Sequence, residues 1–346
     1  MKNKSVIKGI LMVLAAILIV GIFLWPLPYY VESPGATINL KEIITVNDKE
    51  DKEDGSFSLT SVGIQQATAF RALKAKIAPF QELVSEDELT GGATSEEYAQ
   101  MQEYYMESSQ NAAIQQALEL ADKSYKMEFK GVYVMSVDKS SNFYGKLSVG
   151  DTVTKVDGKE FQSSEDFMKY VKSQKVGQTV KITYLHENKE EEASGKLIEL
   201  STDKKPGIGI TLTDHTEISS SEKIDFDTEQ IGGPSAGLMF TLEIYEQLTK
   251  ENLRQGRKVA GTGTINSDGE VGRIGGIDKK VASANEDGVE IFFAPDDTID
   301  ADMKKEYPDL KSNYEEAKAA AKKLDSDMKI VPVKTVQDAL DYLEQK

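Results

Sequence analysis

The stretch Ile231-Gly232-Gly233-Pro234-Ser235-Ala236-Gly237 places one hydroxyl among glycines, directly before the apolar run Leu238-Met239-Phe240-Thr241-Leu242. Glycine lets backbone approach backbone closely, and proline is pre-shaped for the first turn of a helix. Ser235 is therefore expected at a helix start, supported by Gly233, Pro234 and Ala236. Unpaired N–H groups and the positive end of the helix dipole gather there. Such a place can hold a developing oxyanion. It is equally the place of a serine that only caps its helix.

Gly233-Pro234-Ser235-Ala236-Gly237 also fits the G-x-S-x-G pattern of a nucleophile elbow, in which an acid and then a histidine follow the serine. The two histidines, His186 and His215, both precede Ser235, so that triad fails on chain order. A lysine can serve as base if burial brings its pKa from about 10.4 toward neutrality. Gly275-Gly276 opens a second helical pattern in which Ile277, Lys280, Val281 and Ala284 share one face. Lys280 then projects among apolar neighbours and Lys279 toward water. A lysine on an apolar face can also snorkel to solvent. With no usable histidine, a Ser235/Lys280 dyad is the better reading.

Gly233-Pro234-Ser235-Ala236-Gly237, then Ala260-Gly261-Thr262-Gly263-Thr264-Ile265, then Ile274-Gly275-Gly276-Ile277-Asp278-Lys279-Lys280, resembles the proteolytic domain of Lon-type Ser-Lys peptidases. The resemblance implies Ser235 as nucleophile, Lys280 as base and Thr262 as the residue that supports the lysine ammonium. Many members carry an acidic residue three before the serine; this chain has Gly232 there.

These residues need a scaffold, and 346 residues suggest two or three domains. A net charge of −17 argues against nucleic acid, which wants basic patches. Zero cysteines exclude disulfides, and with two histidines they argue against a zinc site. No metal and no cofactor are expected. Val6 to Trp25 is an apolar run long enough to span a bilayer, with Lys8 its one charge. Lys2, Lys4 and Lys8 keep its start cytoplasmic, and Trp25, Tyr29 and Tyr30 suit an outer interfacial belt. Trp25-Pro26-Leu27-Pro28-Tyr29 offers no small-x-small cleavage site, so an uncleaved anchor is expected over a signal peptide. Short strands and two helical patterns follow: one over 65–77 with Ala69, Leu73 and Ile77 on a stripe, one from Ser95 to about Lys126. They read as a spacer.

Residues 127–203 read as a compact β-rich unit whose Val149-Gly150-Asp151-Thr152-Val153-Thr154-Lys155-Val156-Asp157-Gly158 segment resembles a PDZ domain. In that family a peptide C-terminus adds as a strand, its carboxylate held by N–H groups of the preceding loop. The resemblance puts that loop at Lys130, Gly131 and Val132, with Val134, Met168 and Val171 along the groove. The expected fold class is α+β or mixed α/β. The expected domains are 1–28 stub and anchor, 29–126 spacer, 127–203 PDZ-like unit and 204–346 peptidase. Anchor, PDZ and peptidase in this order, with Tyr29-Tyr30-Val31-Glu32-Ser33-Pro34-Gly35, resemble the SepM-like pheromone-processing serine protease family. That implies a single-pass membrane endopeptidase, acting outside the cell without ATP on secreted peptides or small membrane proteins. The alternatives are a non-catalytic tethered PDZ scaffold and a quality-control protease of extracytoplasmic proteins.

Overall fold

The computed structural model describes residues 2–228 and 231–345; the side chains of Lys2 and Lys4, on which the expected orientation draws, lie outside the described residues. Helix α1 (Lys2–Leu24) carries the apolar, unburied stretch Ile7–Leu24 and touches the rest at its C-terminal end, where Phe23 lies beside Phe70. Pro26, unable to continue a helix, starts strand β1 (Pro26–Asn39). Strand β2 (Ser56–Thr68) pairs antiparallel with β1. Helix α2 (Ala69–Ala75) follows, capped by Thr68. Strand β3 (Glu82–Ser85) covers the other edge of β1. The helix expected over 65–77 is thus a strand through Thr68 and a two-turn helix. Its residues Leu73 and Ile77 face outward. Helix α3 (Ser95–Leu120) begins with a Thr94/Glu97 capping box and ends six residues short of the expected Lys126.

The next unit comprises β4 (Tyr125–Val137), β5 (Thr152–Val156), α4 (Ser164–Lys172), β6 (Thr179–His186), β7 (Lys189–Lys196) and β8 (Ile210–Ser220). Its sheet runs β8-β4-β5-β6-β7. Phe167 and Val171 of α4 pack on Val132, Val134, Val153 and Ile182.

The remaining elements are α5 (Gly237–Thr249), β9 (Lys258–Gly261), α6 (Ile277–Glu286), β10 (Ile291–Pro295), α7 (Asn313–Lys323), β11 (Lys329–Val333) and α8 (Val336–Glu344). They share one sheet with the N-terminal strands, in the order β11-β10-β9-β2-β1-β3. Strands β2, β9, β10 and β11 are parallel. Alternation along the strands sends side chains to both faces. Phe293 and Val259 meet Leu238, Phe240 and Leu340 on one face. Phe292 and Ala260 meet Ile277, Val281 and Ala317 on the other.

The spacer expected over 29–126 and the boundary expected at 203/204 are therefore corrected. Residues 26–68 are not a spacer: β1 and β2 complete the sheet of the peptidase half, since β9 needs a parallel partner on each side to satisfy its backbone. Residues 210–220, expected in the peptidase half, pair along β4 instead. The PDZ-like unit is an insertion within the other fold.

Candidate active site

Ser235 sits two residues before α5, and Ala236 occupies the N-cap with no side-chain capping bond. The serine therefore does not cap its helix. Its turn is held from three sides. Gly233, at φ +88°, adopts a conformation that favours glycine, and its N–H donates to the carbonyl of Gln102 on α3 at 2.9 Å. Ser109 Oγ, also on α3, donates to the Pro234 carbonyl at 3.1 Å. Thr262 Oγ1 and the Gly263 N–H donate to the Ser235 carbonyl at 3.0 and 2.9 Å. Thr262, expected to support the lysine ammonium, gives its O–H to the serine's own backbone, and among the described residues Lys280 Nζ bonds to the Thr60 carbonyl and Ser235 Oγ. Gly232 has a steric reason as well. A Cβ there would stand 2.9 Å from Gln102 Cβ, so α3 excludes the acidic residue that many Lon-type sequences carry.

Lys280 comes from the opposite face of the sheet, on α6. The two meet past the carboxyl end of β9, where open parallel sheets bind ligands. Its Nζ lies 3.0 Å from Ser235 Oγ and donates to the Thr60 carbonyl on β2 at 2.5 Å. The residue is 4 % exposed, and burial lowers its pKa to about 7. An ammonium has three donors, while the described residues offer it two acceptors. One N–H on Thr60 with the lone pair toward Ser235 Oγ suits the neutral amine, which is the form a general base needs.

Lys279 is not in water as expected; it too is 4 % exposed. Strands β1 and β3 close over it, and Nζ reaches Glu82 at 3.0 Å, Glu32 at 3.4 Å and Asp278 at 3.6 Å. Burial works against its charge, but Glu82, Asp278 and Glu32 outweigh it and the pKa rises. Burial thus shifts neighbouring lysines in opposite directions, because one has carboxylates within reach and the other only neutral oxygens.

Among the described residues, the N–H groups of Ser235, Ala236 and Gly237 donate to no protein acceptor. They lie at the α5 N-terminus beside Ser235 Oγ, where an oxyanion would form. A cleft of about 670 Å³ opens next to Gly232, lined by Met106, Phe226, Ile231, Glu103 and Glu107.

Residues 229–345 match the family described as Lon protease (S16) C-terminal proteolytic domain, and residues 106–197 match the PDZ domain family. The chain carries a PDZ domain and a Lon-type serine-peptidase domain. A Lon protease of Xanthomonas oryzae pv. oryzae is 32 % identical over 109 residues, 32 % of this chain and 11 % of that protein. A Lon protease of Fusobacterium nucleatum is 42 % identical over 82 residues, 23 % of this chain and 10 % of that protein. The chain thus spans about a tenth of the length of these curated relatives. The crystal structure of the PDZ domain of an SdrC-like protein from Listeria monocytogenes is 47 % identical, covering 25 % of this chain and 92 % of that one, with a TM-score of 0.24.

The peptide groove expected along β4 is corrected. β4 is paired on both sides, with β8 and β5, so no backbone edge is open there. Val132 and Val134 are fully buried core. Lys130 pairs with Glu217 at 2.9 Å. Gly131 is small because a Cβ would meet the Val153 carbonyl at 2.5 Å. The edge strand on this side is β8; α3 takes its Asp214 and Thr216 carbonyls through Tyr104 and Asn111, at 2.6 and 2.9 Å. A groove of about 620 Å³ runs between β8 and α4, lined by Met168, Val171, Ile208, Ile210 and Leu212. Met168 and Val171, expected to face β4, line this groove opposite β8 instead. The loop before β8, Gly207-Ile208-Gly209-Ile210, carries two glycines, Gly207 and Gly209, the latter at φ +81°. Among the described residues the Ile208 and Gly209 N–H groups donate to no acceptor. That Gly-Ile-Gly-Ile run was the signal to follow.

One further acidic grouping, Asp51, Glu243 and Glu246, has metal-ligand spacing. Arg254, fully buried, occupies the cation's place, with contacts of 2.5 Å to Asp51, 3.5 Å to Glu243 and 2.7 Å to Glu246. Burial pushes Glu243 up to about 8. The cluster ties the loop before β2 to α5.

Proposed function

We propose that the protein is a membrane-anchored serine endopeptidase that cleaves secreted signalling peptides or small membrane-bound proteins at the outer face of the membrane, without ATP. The observation that carries this reading is Lys280 Nζ at 3.0 Å from Ser235 Oγ in a buried setting that lowers the lysine to about 7. Neutral Lys280 accepts the proton of Ser235 Oγ, which attacks the peptide carbonyl. The N–H groups of Ser235, Ala236 and Gly237 receive the oxyanion. The ammonium of Lys280 then protonates the leaving amine, and water activated by the same amine releases the acyl group.

Helix α1 supports the anchor by length and composition, and Lys2, Lys4 and Lys8 support a cytoplasmic start. Resemblance to the SepM-like family supports extracellular signalling peptides as substrates. The β8/α4 groove would hold a substrate C-terminus by strand addition, raising its effective concentration at Ser235. Incubating the full-length protein in detergent with secreted peptides, beside Ser235→Ala, tests the reading by mass spectrometry. Defined products from the parent and none from the variant are expected, at a rate unchanged by added ATP. Equal products from both would sink it.

A further inference from the structure

Helix α2 is turned inside out. Its inner side carries small residues, Ala72 and Ala75, packed on Val31, Ala67, Leu27 and Leu83. Its large apolar residues face away: Phe70 is 57 % exposed, Leu73 61 % and, in the turn that follows, Ile77 82 %. At helical spacing these three form one stripe. Exposed Arg71 and Lys74 flank it on one side and Lys76 on the other. A burial-driven fold has no reason to present this face to water. Cations at the rim of an apolar stripe are the pattern of a helix lying in a membrane interface, here in a chain whose net charge is −17.

The position of the stripe names its occupant. The ring of Phe70 lies 6.3 Å from that of Phe23, in the last turn of α1. Leu24 and Trp25 next to it are exposed as well. A cleft of about 680 Å³ between them is lined by Phe23, Leu24, Val31, Phe70, Arg71 and Lys74. The apolar surface of the candidate membrane span therefore runs on into α2. We propose that α2 is a second membrane contact, with Phe70, Leu73 and Ile77 among the outer acyl chains and Arg71, Lys74 and Lys76 on anionic lipid headgroups. This rests on the anchor reading of α1. Because α2 joins β2, whose Thr60 carbonyl holds Lys280, two contacts rather than one tether set the height and tilt of the active site over the bilayer.

The chain has no cysteine, so single-cysteine probes can be placed cleanly. Leu73→Cys, Ile77→Cys, Val13→Cys and Tyr144→Cys are made in the full-length protein and labelled with an environment-sensitive fluorophore. They are reconstituted in vesicles of phosphatidylcholine and phosphatidylglycerol that carry quenchers at shallow or deep acyl positions. The expected result is a blue shift and shallow quenching at positions 73 and 77, deep quenching at 13 and neither at 144. Arg71→Glu with Lys74→Glu should remove much of the blue shift at position 77. Deep quenching at 13 with none at 73 and 77 overturns the proposal while leaving the anchor. Crosslinking between copies through 73, without lipid quenching, overturns it in favour of a second copy of this chain. No quenching at 13 refutes the anchor and this proposal with it.

Discussion

Replacing Lys280 with methionine should abolish activity and make the protein more stable. Burial takes this amine from its ordinary 10.5 to about 7. A tenfold difference in proton affinity between folded and unfolded chain is worth about 1.4 kcal/mol. The unfolded chain keeps its proton up to about pH 10.5, whereas the folded chain gives it up near 7. The penalty for folding is therefore full below about pH 7, where both states are charged. It declines as pH rises from 7 to 10.5 and vanishes above. At pH 7.5 the unfolded amine still binds its proton about a thousandfold better than the solution pH demands, which leaves a penalty of ~4 kcal/mol. Methionine fills similar volume without charge but forfeits the contacts to the Thr60 carbonyl and Ser235 Oγ, about 1 kcal/mol each. A net gain of ~2 kcal/mol is expected at pH 7.5, shrinking by about 1.4 kcal/mol for each step of one in pH and reversing near about pH 9. Denaturant unfolding of parent and variant from pH 7 to 10 measures it. A difference that stays flat across that range, or a variant less stable at pH 7.5, would refute the buried neutral amine and the base assigned to it.

Peptidase activity should rise with pH through an apparent pKa of about 7, because Lys280 must lose its proton to act; a rate constant from pH 5.5 to 8.5 would exclude lysine as base. Lys279→Ala should cost about 1 kcal/mol of stability, since Glu32 and the exposed Glu82 can turn to water, yet leave kcat per folded molecule nearly intact; a kcat lost together with intact folding would place Lys279 in the chemistry. Arg254→Met should cost ~3–5 kcal/mol, since it leaves Asp51, Glu243 and Glu246 crowded without a cation; an unchanged melting temperature would contradict the cluster. Gly209→Val should raise KM for a natural substrate and leave kcat alone, because a Cβ there meets Ile198 Cδ1 at 2.8 Å and distorts the loop before β8; unchanged KM would remove the groove from substrate binding.

The pairing of Ser235 with Lys280 could be proposed from the sequence because each partner announces itself locally, and the structure brings the two within 3.0 Å. Gly-Pro-Ser-Ala-Gly builds a turn before an apolar helix, and the 3.6-residue period alone puts Lys280 on the side of Ile277, Val281 and Ala284. The apolar run of α1 and the order of PDZ and peptidase domains were readable for the same reason, as runs and short motifs. What failed depended on partners distant in the chain. Periodicity placed Lys279 in water because it sees one helix; strands β1 and β3, far earlier in the chain, bury it and supply Glu32 and Glu82. The acceptor that holds Lys280 Nζ beside the serine is a main-chain carbonyl, Thr60, which no side-chain pattern can reveal. Strand propensity found β4 but could not say that it is interior while β8 is the edge, since pairing order is a property of the whole sheet. For that reason a peptide groove assigned by motif fell on a strand with no free hydrogen bonds. Spacing along the chain determined which residues can do the chemistry. The sheet, by closing over one lysine with carboxylates and over the next with neutral oxygens, decided which of them can be a base.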